Sequence, residues 1–121
     1  MKKTLLFNIS LSDLYVNDEK AILKIKNVFQ TFAASELRIL WVLDYHFEEQ
    51  LLSIENDTFY NEYLELKQWF IDNIDGDVVL YENLNEAVAN ADAYYGSAGF
   101  VMGQCIEKSI PVMKSNIEIL N

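Results

Sequence analysis

The stretch that decides the fold is NADAYYGSAGFVMGQCIEKSIPVM, residues 90–113. It holds three of the chain's four glycines, its only cysteine and its only proline. An apolar run climbs into Gly96-Ser97-Ala98-Gly99, a helical pattern follows as far as Lys108, and IPVM reads as a further strand. A strand, a small-residue turn, a helix and a second strand make up a parallel unit. A helix starting near Ser97 points unpaired backbone amides, and the positive end of its dipole, at whatever lies above the sheet. Such turns often hold a phosphate.

The same alternation runs back to the N-terminus. Residues 4–9, TLLFNI, read as a first strand, and Asn17 reads as the cap of a helix whose buried stripe is Ile22, Ile25, Val28, Phe29 and Phe32. Residues 37–43, LRILWVL, are an almost continuously apolar second strand. After a mixed segment, Asn56 or Asp57 caps a long helix carrying Phe59, Tyr60, Tyr63, Leu66, Phe70 and Ile74, with Gly76 at its end. Residues 77–82 read as a third strand, 85–90 as a short helix, 92–96 as a fourth strand, 97–108 as a helix and 111–114 as a fifth strand. Strands that are apolar on both faces and alternate with helices belong to parallel sheets covered on both sides. The expected fold is therefore α/β: a single Rossmann-like three-layer domain over residues 1–121, with a mostly parallel five-stranded sheet. In such sheets ligands sit beyond the carboxyl ends of the strands. Here those ends are residues 8–12, 43–47, 82–83 and 96–99.

Composition narrows the function. The chain has 121 residues, 51% hydrophobic and 13% aromatic, enough for one core and too apolar for a disordered state. Its formal net charge is -10, and Arg38 is the only arginine. Nucleic-acid binding needs a basic footprint that is missing here, and anionic membranes are disfavoured for the same reason. No apolar stretch approaches the roughly 20 residues of a membrane span. The N-terminus, MKKTLLFNISLSDLY, has a basic start, but its apolar run breaks at Asn8 and Ser10, so it reads as a strand and not as a signal peptide. One cysteine and one histidine define neither a disulfide nor a metal site, and the cytoplasm is the expected compartment.

The candidate ligand-binding residues come from the strand ends. Gly96 and Gly99 allow close backbone approach, and Ser97 either donates to a ligand or caps the helix; Tyr95 precedes them. Neither a GxGxxG motif nor a Walker lysine accompanies this turn, and no lysine lies between Lys67 and Lys108. Asp44 stands two residues before His46, so the pair suits either acid–base work or an exposed loop. Asn8, Ser10 and Ser12 either bond a phosphate or sugar or form a turn and cap. Cys105, Trp41 and Trp69 read as core. No residue reads as catalytic, and no cofactor is implied.

In order and spacing, the N-x-S-x-S start at residues 8–12, Leu40-Trp41, DAYYG and the later PVM resemble the donor-binding domain of CDP-glycerol glycerophosphotransferase-like proteins. These are GT-B glycosyltransferase relatives tied to teichoic-acid and cell-surface polymer synthesis in Gram-positive bacteria. The resemblance covers nearly the whole chain and implies half of a GT-B fold. It also implies a nucleotide-sugar or CDP-glycerol-like ligand, and a partner glycosyltransferase domain. The departures are specific. Where the family has Trp-Arg-Pro-His-Pro, this chain has Trp41-Val42-Leu43-Asp44-Tyr45, and His46 is displaced by two positions. Where the family continues with Asp and a Gly-Ser-Ser turn, this chain has Ser97-Ala98-Gly99-Phe100. The expectation is a degenerate domain without turnover of its own. Two alternatives stand beside it. One is an interaction or homodimerisation module using surplus aromatics. The other is a nucleoside deoxyribosyltransferase-like enzyme, which lacks its carboxylate because Met102 stands near that position.

Overall fold

The computed structural model describes residues 2–114. Five strands, β1 (Thr4–Asn8), β2 (Arg38–Val42), β3 (Gly76–Val79), β4 (Ala93–Gly96) and β5 (Val112–Lys114), form one sheet in the order β3-β2-β1-β4-β5. Every pairing is parallel, with Leu6 opposite Leu40 on one side and Tyr94 on the other. Helices α1 (Leu11–Ala34), α2 (Phe47–Ser53) and α3 (Asp57–Asn73) gather on one face, and α4 (Leu84–Asn90) and α5 (Phe100–Glu107) on the other. This is the expected three-layer Rossmann-like arrangement, with the sheet parallel throughout.

Alternation along β1 divides the core. Leu5 and Phe7 face α1 and α3, while Leu6 faces α4 and α5. On the first face Phe7, Phe29, Trp41 and Phe70 interlock, with centroids 4.8 Å apart for Phe7–Phe29 and for Phe29–Phe70. Each such aromatic pair contributes roughly 0.5–1.5 kcal/mol beyond its area burial. The stripe expected on α1 is present: Ile25 and Phe29 are buried, and Ile22, Val28 and Phe32 pack partly buried against them.

Several boundaries differ from expectation. Helix α1 begins six residues before Asn17, because Ser10 caps it by accepting from the Asp13 N–H. Asn17 lies inside the helix, and its side chain is outside the described residues. Gly76 does not end α3. The helix stops at Asn73, and Gly76 opens β3 opposite Ile39, where a Cβ would lie 1.8 Å from the Ile39 carbonyl oxygen. That close approach explains the glycine better than a helix terminus does. Strand β3 ends at Val79, and residues 81–83 form a 3-10 turn. The mixed segment after β2 contains α2. Asn56 caps α3 as expected, accepting from the Phe59 N–H at 3.1 Å. Trp41 is buried, whereas Trp69 is only partly buried beneath the Lys26 ammonium.

Candidate functional site at the strand-end rim

Strand order reverses between β1 and β4, so the switch point falls at Asn8 and Gly96, which are register partners. The Asn8 carbonyl accepts from the Ser97 N–H at 2.9 Å. Gly96 has φ 158°, and a Cβ there would lie 1.9 Å from the Asn8 oxygen. Glycine is required because the two chains touch, before any ligand is considered.

The polar side chains clustered around Asn8 and Ser97 bond to one another and to the backbone. The Asn8 amide donates to the Val42 carbonyl at 2.9 Å and to Asp44 Oδ1 at 3.0 Å. Asp44 Oδ2 accepts the Leu11 N–H at 3.3 Å, so a carboxylate rests on the first turn of α1. The Ser97 hydroxyl accepts the Ser10 N–H at 2.9 Å and donates to the Asp13 carboxylate. Ser10 and Ser12 hydroxyls lie 3.2 Å apart, and Ser10 is also the cap. The Tyr94 hydroxyl donates to the Ser97 carbonyl at 2.7 Å. Burial, with the Asp44 and Asp13 carboxylates nearby, pushes the Tyr94 phenol up, so it stays protonated. Among the described residues no buried side-chain nitrogen or oxygen lacks a partner. Of the amides opening α1, that of Leu11 is thus taken by the protein's own carboxylate and that of Asp13 by the Ser10 hydroxyl.

The structure brings Asn8, Ser10, Ser12, Asp44, Gly96 and Ser97 into one bonded cluster. It does not bring Tyr95 there: that ring is buried in the core beneath α1, stacked on Phe7 at 6.0 Å and against Phe32 at 5.3 Å. Helix α5 starts at Phe100, three residues later than expected, so Ser97 is not its cap. Gly99 caps it without a side-chain bond, in extended backbone with open space at the Cβ position. His46 stands apart, exposed, its Nδ1 2.6 Å from Glu49. It adopts the left-handed conformation, φ 53°, at the start of α2. Two residues before it Asp44 turns inward onto α1, and Tyr45 turns out to solvent.

Sequence reasoning missed what surrounds the cluster. Tyr45, 55% exposed, packs edge-on to Tyr81 at 5.7 Å, and Tyr81 meets Phe100 at 6.1 Å, itself 61% exposed. Three loops thereby contribute one aromatic strip. The available signal was an aromatic residue beside three of the expected strand ends. A pocket of about 480 Å³ opens beneath Tyr45 and Tyr81, lined also by Asp44, Glu48, Glu49 and Glu82. Burial pushes the Glu48 carboxyl up, but hydrogen bonds from Lys67 at 2.6 Å and Tyr63 at 2.7 Å, with the Lys67 charge, outweigh it and leave the group below its ordinary value. Cys105 is fully buried on the α4–α5 side, and that burial pushes its thiol up to about 11, so it is no nucleophile at neutral pH. Among the described residues no cluster of His, Cys, Asp and Glu has metal-site geometry, and no helix is long and apolar enough to cross a membrane.

Comparison with protein-family models, with curated proteins and with solved structures returns no match.

Proposed function

We propose that the chain is a degenerate donor-binding-type domain, half of a GT-B arrangement, related to the glycerophosphotransferases of bacterial cell-surface polymer synthesis. In this reading it works in the cytoplasm, performs no transfer by itself, and docks a partner domain through its rim. The observation that carries the reading is Asp44. Its carboxylate sits on the Leu11 amide, where a phosphate would otherwise gain from the α1 dipole. A second carboxylate, Asp13, holds Ser97. A diphosphate would have to displace or approach both, without any lysine or arginine in residues 4–13, 43–49, 80–83 or 96–101. Each missing charge-assisted bond is worth roughly 1.5–3 kcal/mol. The strip formed by the exposed Tyr45 and Phe100, with the partly buried Tyr81 between them, suits the apolar centre of a protein interface instead. A transferase of this kind encloses two substrates between two domains, and one rim alone excludes no water.

One observation favours a second reading, a retained nucleotide site at α5. Gly99 gives that helix no side-chain cap. A thermal-shift series with cytidine nucleotides and CDP-glycerol, run beside a turnover assay, separates the two. A ligand at a hundredfold excess over its Kd raises stability by about 2.7 kcal/mol. Docking predicts no shift and no turnover, together with a complex with the acceptor-binding half of a glycerophosphotransferase that Tyr45→Ala weakens. A clear shift with CDP-glycerol would transfer the argument to α5.

A further inference from the structure

Resting on the docking reading, we infer that the partner's contact segment is basic, and that it seats an arginine in the pocket between the loops that follow β2 and β3. The pocket combines two kinds of wall. Tyr45 and Tyr81 supply ring surface, and Leu80, 53% exposed, supplies an aliphatic ledge. Asp44, Glu48, Glu49 and Glu82 supply four carboxylates. Among the described residues Lys67 bonds Glu48, and the His46 imidazole lies against Glu49. Asp44 is held by neutral amide donors, and Glu82 is exposed. The pocket therefore sets carboxylates beside two aromatic rings, Tyr45 exposed and Tyr81 partly buried.

That pairing selects a cation with a long apolar stem. A guanidinium stacks flat on a tyrosine ring and bonds a carboxylate with its fork, while its methylenes lie along an aliphatic surface. An ammonium offers a point charge and stacks less well. The net charge of -10 steers a basic segment inward and repels acidic ones. It also argues against a second copy of this chain as occupant, because the facing rim would bring carboxylates without lysine or arginine. A phosphate-bearing occupant is disfavoured on the same ground.

The test uses the whole chain, 15N-labelled, titrated with a seven-residue peptide, Gly-Ser-Arg-Gly-Arg-Ser-Gly, and with versions carrying norleucine or glutamate in place of arginine. The expected result is amide shifts confined to Tyr45, Tyr81, Glu82 and Phe100 with the arginine peptide alone. Tyr45→Ala and Glu82→Gln, both at exposed positions, are each expected to weaken binding at least fivefold. Glu107→Gln, at the far end of α5, is expected to leave it unchanged. Shifts spread over the whole acidic surface, or affinity indifferent to Tyr45→Ala and Glu82→Gln, would overturn the inference. Equal binding of the norleucine peptide at the rim would overturn it while leaving the docking reading standing. Binding of CDP-glycerol with no response to any peptide would remove both.

Discussion

Asn8 holds Asp44: the buried amide at the end of β1 donates to the carboxylate that follows β2, at 3.0 Å, and so fixes it over the first turn of α1. The same nitrogen also satisfies the Val42 carbonyl. Replacing Asn8 by alanine strips both acceptors of their donor in a buried setting. Asn8→Ala is expected to cost about 1–3 kcal/mol, read as a lower urea midpoint with an unchanged m-value. Asn8→Asp is expected to cost more, since it faces one carboxylate with another.

Asp44→Ala should act in the opposite sense on ligands. It removes the internal anion from α1 and frees the Leu11 amide. Affinity for inorganic pyrophosphate, measured by titration calorimetry, is expected to rise about tenfold over the parent chain, which corresponds to ~1.4 kcal/mol. An unchanged affinity would mean that the carboxylate is not what closes the cradle.

Glu48 gives a pH signature. Its folded value lies below the ordinary 4.5, because the Lys67 and Tyr63 bonds outweigh the cost of burial. A depressed carboxyl contributes stability that is present above its unfolded pKa and lost as pH falls through the folded one. Melting temperature should therefore fall on acidification below about pH 5. Glu48→Gln should flatten that part of the profile and cost about 1 kcal/mol at neutral pH, the modest figure reflecting a partly exposed pair.

Gly96→Val is expected to disrupt the fold and not merely a ligand. The new Cβ would meet the Asn8 oxygen at 1.9 Å, and φ is 158°. Gly76→Ala meets the Ile39 oxygen at 1.8 Å. Both should cost about 3 kcal/mol or more by chemical denaturation. Gly99→Ala, with open space around it, is expected to stay within about 0.5 kcal/mol of the parent.

The legible part of this protein is the part governed by period. Apolar runs around Leu6, Leu40 and Tyr94 announced buried parallel strands, and the stripe through Ile25 and Phe29 announced a helix on one face. Ends were harder to place. Ser10 and Asn17 are both good caps, and nothing local tells which one starts a helix; tertiary contacts at Ser97 decide for Ser10. Gly76 looked like a helix stop because its real constraint, the backbone of Ile39, comes from a distant strand. At the rim, the small polar residues were visible as candidates, but their mutual bonding was not. The link from Asp44 to Leu11, or from Ser97 to Asp13, exists only once three loops meet. Tyr94 and Tyr95 show the same limit: adjacent in the chain, they point to opposite faces of the sheet.

The central position of β1 sets a timetable for synthesis. The strand is synthesised before both of its neighbours, and its second flank is β4; Thr4 donates its N–H to Asp92, 88 positions later. A nascent chain halted after β3 would have β1, β2 and β3 without β4, leaving one edge of β1 bare and ready to template a neighbour. The time taken to synthesise the helix that follows β3, and then β4, sets how long that edge stays open to aggregation.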